Sequence, residues 1–303
     1  MKKNIISLTA MLLTAAVLCL SCTKEDTGSA SNNSNNAASN GSNNGGSGGG
    51  GPATTGKRLV KITEMDTTIS YENDIAIDTE YSTRQTMIEW GSDGRLQQFG
   101  RYRVAYDNAG RINRVYTGEG SGDMSYECFY DDNNRLYEIH STEIGYSETP
   151  SIGQIEYDEQ GNPHTFRIGS RNLLIITWND GNIQSYNTRN GDPNSEYTFT
   201  YDNKKSCYIA IPRNFVIATF GEETGLKVMS RNNPITSTER DHNDNLVPYT
   251  LHYEYDGEYP ISCRRPEKFT GESHTSGSDG MHVVIEKTHG TTYFEYADGT
   301  GRR

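Results

Sequence analysis

The sequence predicts an all-β fold, an antiparallel meander of hairpins that forms one large curved or barrel-like sheet. Three observations carry the prediction. A short phrase recurs along the chain: "IEWGSDGRLQQF", "VAYDNAGRINRVY", "CFYDDNNRLYEIH", "IEYDEQGNPHTF", "ITWNDGNIQSY" and "FTYDNKKSCYI". Each copy is an aromatic residue, a cluster of Asp, Asn and Gly, and then a renewed apolar–polar alternation. Segments with helical periodicity are scarce, whereas alternation with a period of two is common, as expected where side chains point to opposite faces of a strand.

The strands predicted in order are 59–65, 85–90, 102–107, 112–117, 126–131, 136–141, 153–158 and 197–202. In "YRVAYD", Tyr102, Val104 and Tyr106 share one face and Arg103 and Ala105 the other. In "INRVYT", Ile112 and Val115 differ in parity, which predicts a bulge or a change of face. The intervening "SDG", "DNAG", "DDNN", "DEQG" and "NDGN" are tight turns. Asp and Asn bond to nearby backbone and tolerate positive φ, and Gly adopts it freely. Residues 209–234 break the rhythm and predict a short helix or a long loop. Strands resume at 249–256, and a final hairpin is expected within 281–299 with "THG" in its turn.

The aromatics at the strand ends, Trp90, Tyr106, Tyr130, Tyr157 and Trp178, followed by Tyr201, are separated by uneven intervals, so a meander is favoured over a strict solenoid. With 20 Tyr against 8 Phe, the chain favours side chains with an apolar body and a polar tip. In a meander these ends line up along one edge. Trp90, Tyr106, Tyr130, Tyr157 and Trp178 are therefore the candidate binding row for a glycan or protein ligand, and cross-strand packing is their alternative role.

Residues 1–21 have the layout of a secretory signal peptide, with Lys2 and Lys3 followed by an apolar run to Leu20. The segment closes on Leu20, Ser21 and Cys22, which resembles a bacterial lipobox. The resemblance implies acylation of Cys22 and attachment to a membrane through the N-terminal lipid, although Cys19 stands where Leu, Val or Ile is usual. The following "TKED" resembles the acidic export signal of Bacteroidota surface lipoproteins and implies an outer-membrane, cell-surface address. Residues 22–56 are then the acylated cysteine and a Ser/Asn/Gly tether. About 30 such residues reach roughly 30 Å. Residues 57–303 form a single β-rich domain.

The chemistry of the sequence is largely exclusionary. Removing Lys2 and Lys3 takes 28 basic residues to 26 against 40 acidic ones, a net −14 in place of −12, which disfavours nucleic acid as a partner. Cys128, Cys207 and Cys263 are an odd set without C-x-x-C spacing, so at least one thiol is free and the three are expected as small apolar residues. "DHNDNLVPYTLH" begins like a calcium loop, but Leu246 and His252 stand where Gly and Glu are required. The histidines lack metal spacing, and "GESHT" lacks the second Gly of a nucleophile elbow. No metal, cofactor or catalytic residue is therefore assigned, and a non-enzymatic binder is expected. Its rivals are a hydrolase of an extracellular polymer using paired carboxylates and a purely structural envelope component.

Two resemblances complete the reading. Locally, "YDNAGRI" resembles the tyrosine–aspartate (YD) repeat of large secreted bacterial β-shell proteins. Over most of 57–303, "KRLVKIT", "YDNKKS", "SRNNPIT" and "YEYDGEYPISC" resemble a Bacteroidota lipoprotein family with a porin-like fold. The resemblance implies a fold and an address and no activity. Membrane-spanning strands need about 9–11 residues with an apolar outer face. The strands read here are shorter and charged on both parities, so a water-soluble barrel-like domain is expected.

Overall fold

The computed structural model describes residues 56–147, 149–168, 171–187, 196–219, 225–240, 245–277 and 280–298. The predicted signal peptide, Cys22 and the tether up to residue 55 lie outside the described residues. Seventeen strands make one sheet. They are β1 (Lys57–Glu72), β2 (Ile75–Trp90), β3 (Leu96–Phe99), β4 (Tyr102–Tyr106), β5 (Ile112–Tyr116), β6 (Met124–Tyr130), β7 (Leu136–Glu143), β8 (Ser151–Tyr157) and β9 (Pro163–Ile168). There follow β10 (Arg171–Asn179), β11 (Asn182–Asn187), β12 (Glu196–Lys205), the helix α1 (Arg213–Ala218), β13 (Asn232–Arg240), β14 (Leu246–Thr250), β15 (His252–Asp256), β16 (Tyr259–Gly277) and β17 (Gly280–Asp298).

The sheet is the predicted antiparallel meander. From β1 to β14 each strand pairs with the next, β15 pairs with β16, and β16 with β17. Only Leu251 separates β14 from β15, and its N–H donates to the Ile235 carbonyl. β17 then returns to β1, so the described strands form a nearly closed, barrel-like ring.

Each recurrent phrase folds in the same way. In "DNAG", the Gly110 N–H donates to the Asp107 carbonyl, and the Asp107 N–H donates to the Arg111 carbonyl. Gly110 has φ +81° and the corresponding Asn134 φ +59°. One further residue is then squeezed out of the second strand. Tyr106 pairs with Ile112 and Ala105 with Arg114, leaving Asn113 as a β-bulge, as the parity of Ile112 and Val115 predicts. The same slip follows the turns at Trp90, Tyr130, Tyr157, Trp178 and Tyr255. A bulge shifts the parity of the strand, so core residues recur three apart. Leu96 and Phe99, Ile112 and Val115, and Leu136 and Ile139 are all buried. Truncating one such Leu to Ala should cost about 2–5 kcal/mol.

A short helical plug packs against the inner face of the described strands. In α1, Phe215, Val216, Ile217 and Ala218 are consecutive and all buried, which a helix achieves only when it is surrounded. Phe215 packs against Phe99 at 5.5 Å and Tyr102 at 6.2 Å, and Leu226, Val228 and Met229 extend the plug. Of the short helix or long loop expected within 209–234, the short helix is present. Strands resume earlier than expected, because "NNPIT" is part of β13. Its Pro234 sits opposite Tyr201 at a register slip, a place where a missing N–H is tolerated.

Two expectations need correction. The first concerns strand length. β1, β2, β16 and β17 run for 16 to 19 residues, beyond the length that sequence alternation marked. The β3–β4 hairpin turns back at Phe99 and Tyr102, and β15 stops opposite Arg264, so the outer halves of the four long strands continue past the barrel wall. The second concerns "THG". β17 runs unbroken through Gly290, which lies between Asp66 and Arg265 in adjacent strands. Those two side chains form an ion pair, and a Cβ on Gly290 would collide with Asp66 and crowd Arg265. The glycine is there for a contact across three strands, and it makes no turn.

Cys128, Cys207 and Cys263 are all buried and unbridged, where the odd count required only one free thiol.

Candidate functional site: an aromatic and arginine rim

Alternate strands of an antiparallel sheet run the same way, so the C-terminal ends of β2, β4, β6, β8 and β10 share one rim. Trp90, Tyr106, Tyr130 and Tyr157 are the last residues of the first four, and Trp178 is the penultimate residue of β10. These five residues therefore share one rim, and Tyr201 and Tyr296 extend it around the ring.

One rule governs these side chains. Each donates its polar hydrogen to the main-chain carbonyl of a buried residue at or near the start of the preceding strand. Trp90 Nε1 bonds to Leu59 at 2.9 Å, Tyr106 to Leu96 at 2.7 Å, Tyr130 to Ile112 at 2.8 Å and Tyr157 to Leu136 at 2.8 Å. Trp178 Nε1 bonds to Pro163 at 2.7 Å, Tyr201 to Ile183 at 2.8 Å and Tyr296 to Pro260 at 2.8 Å. The bulge opens room for this reach. Burial raises the Tyr106 hydroxyl to about 12, and it raises Tyr130, Tyr157, Tyr201 and Tyr296 further, so all remain protonated donors at neutral pH.

At five of the seven the residue just before that buried residue covers the ring. Arg58 lies 5.4 Å from the Trp90 ring centre, Arg95 5.2 Å from Tyr106, Arg111 4.7 Å from Tyr130 and Arg135 5.2 Å from Tyr157. At Tyr296 the cover is the Tyr259 ring, at 5.4 Å. At Trp178 it is Arg213 from the plug helix, at 4.9 Å, which ties the plug to the rim. Arg111 and Arg135 also bind the Asp of their own turns, Asp107 and Asp131, at 2.7 and 2.9 Å. Burial works to raise both carboxyls. Hydrogen bonds from the arginine N–H groups and the guanidinium charge outweigh it and hold the two below the ordinary carboxylate range.

The aromatics predicted as binders are thus half-buried, with one face occupied by a guanidinium. What the rim offers to solvent is a series of Arg–Asp pairs on a rigid aromatic frame. The sequence reading missed these arginines, although an Arg just before an apolar residue in "KRL", "GRL", "GRI" and "NRL" was their signal. Among the described residues there is no group of three or more His, Cys, Asp or Glu placed to hold a metal.

No family model matches the chain, and no curated protein matches it. Among solved structures it is similar to a porin-like protein from Bacteroides vulgatus ATCC 8482, with 11% identity, 80% of this chain and 99% of that chain covered, and a TM-score of 0.38. It is also similar to the TcdB2–TccC3–Cdc42 structure, with 14% identity over 75% of this chain and 12% of that chain, and a TM-score of 0.17. By its own strand pairing the protein is an all-β, barrel-like meander.

Proposed function

We propose that the chain is a non-catalytic lipoprotein of the outer membrane, held at the cell surface through acylated Cys22 and the tether 22–56. Its domain binds an extracellular glycan or protein. The anchor and address rest on the signal-like residues 1–21, Cys22 and "TKED", and on the resemblance to Bacteroidota lipoproteins. One observation carries the binding reading. Phe215–Ala218 are buried against the inner face of the ring, and we place recognition on the outer rim. There the rim supplies fixed guanidinium and carboxylate groups of the kind that bond to sugar hydroxyls or peptide groups.

A structural envelope role is the second reading, and the occupied ring faces favour it, because guanidinium planes sit where a sugar would stack. Two measurements test the proposal. Cys22→Ser should move the protein from membranes to a soluble fraction and abolish incorporation of labelled fatty acid, and unchanged fractionation overturns the anchor. Glycan-array and envelope-protein screens of the folded chain should yield a ligand whose binding falls in Arg95→Ala. A folded protein that binds nothing leaves the structural role.

A further inference from the structure

Beyond the barrel wall, β2 is an open edge. On one side it pairs with β1 from Ile75 to Met87. On the other, β3 reaches only Ile88–Trp90, and the Gly100 N–H takes the Met87 carbonyl. From Ile75 to Gln85 no described strand lies on that side, and all eleven residues are exposed, Tyr81 at 81%. The N–H and C=O of one strand residue point the same way, and the direction alternates along the strand. Because the Met87 carbonyl faces the open side, the backbone groups of Gln85, Thr83, Tyr81 and Thr79 face it too. The Asp78 carboxylate covers the Thr79 N–H at 2.8 Å, as a local stand-in for a missing strand.

Natural edges are protected by Pro, bulges or lysines. The opposite edge, β16, has such devices: Pro266 and two register slips, between Arg265 and Lys268 and between Phe269 and Gly271. Between Thr79 and Gln85, β2 has no Pro, Gly or Lys, and its register with β1 is regular. Its charges are arranged for self-pairing. An antiparallel partner copy centred on Tyr81 brings Asp78 opposite Arg84 twice, with Thr79 opposite Thr83, Glu80 opposite Ser82 and Ile77 opposite Gln85. This register pairs outward backbone groups with outward backbone groups. Shifting the centre to Glu80 sets two glutamates against each other, and shifting it to Thr79 sets Asp78 against Glu80.

We propose that the occupant of this edge is a second copy of the chain, joined β2 to β2 about a two-fold axis at Tyr81. The two long-stranded extensions then form one continuous sheet. Such an isologous contact closes at two copies and leaves both rims free. It does not depend on the ligand proposed for the rim.

Cysteine cross-linking in the full-length, membrane-held protein tests it. Tyr81→Cys puts a thiol beside its own copy, within the Cα spacing a disulfide tolerates. Tyr81→Cys should give a dominant disulfide dimer. Ser82→Cys, and Tyr146→Cys at an exposed turn elsewhere, should give at least fivefold less, and the parent chain none. Arg84→Asp added to Tyr81→Cys should lower the dimer at least tenfold, and Asp78→Arg with Arg84→Asp should restore it. Thermal melts show that each variant is folded. Should Arg84→Asp unfold the chain, Asp78→Lys serves as the single reversal. Absence of the Tyr81→Cys dimer, or equal dimer at all three cysteine positions, overturns the interface.

Discussion

The Arg111 guanidinium lies 4.7 Å from the centre of the Tyr130 ring while its Nε donates to Asp107 Oδ2 at 2.7 Å. One side chain thereby closes its own turn and covers the aromatic of the next, and its Nη1 also reaches Asn134 at 2.9 Å. Neighbouring hairpins are coupled as a consequence. Arg111→Ala should lose about 1–2 kcal/mol, and a double-mutant cycle with Tyr130→Ala should return a coupling of about 0.5–1 kcal/mol in urea unfolding. Arg111→Lys should recover little, because an ammonium has neither the planar face nor the fork.

Glycines in the turns should differ in their tolerance. Gly110 has φ +81°, and a Cβ there would strike the Arg95 guanidinium. Gly257 has φ +63° with nothing within 4 Å. Gly257→Ala should cost about 1 kcal/mol from backbone strain alone. Gly110→Val should cost clearly more, because the Arg95 cover on Tyr106 must move. Melting curves of the two variants compare them directly.

Trp178 decides between packing and binding. It is bonded to Pro163 and covered by Arg213, so Trp178→Ala should destabilise the domain by about 3 kcal/mol, the low end for a buried tryptophan. A melting temperature left unchanged by this substitution would show that the ring is not needed for the fold and is free for a ligand.

Acid should weaken the turns. Asp107 and Asp131 have folded pKa values below their unfolded ones. Their contribution is therefore present above the unfolded value of about 4 and is lost as pH falls from there through the folded values. Stability measured between pH 6 and 2 should fall over that lower window. The decline should be shallower in Asp107→Asn.

The buried thiols should be silent. Burial, assisted by the Glu127 charge, raises the Cys128 thiol to about 12, and Cys207 and Cys263 are buried as well. A maleimide should label none of the three in the native domain at pH 8 and all three in urea. Native labelling of Cys128 would contradict its placement in the core.

What the sequence reveals of this architecture is the local part. The alternation in "YRVAYD", the positive-φ residues of "DNAG" and "DDNN", and the bulge implied by Ile112 and Val115 all act within a few residues. Their chemistry is visible in the string. The partners of those residues are not. Nothing near Arg95 says that its guanidinium covers Tyr106, since that contact exists only after the bulged strands are paired. Gly290 resembles a turn glycine because its reason lies in Asp66 and Arg265, far away along the chain. The outer half of β2, "IAIDTEYST", lacks a covered face, so burial never imposed the clean alternation by which strands are recognised.

The closure of β17 on β1 sets the order in which the molecule assembles. Lys61 and Glu295, bonded at 2.7 Å, are 234 residues apart, whereas the strands between them pair with near neighbours. The hairpins have short loops to close and form early, while the seam must wait for the slow encounter of distant segments. Until then β1 and β17 are both raw edges beside an unsealed core, the state most exposed to misassembly. A chain cut before β17 would keep most of its hairpins and lose its seam, and the expected fate of such a fragment is aggregation rather than a smaller barrel.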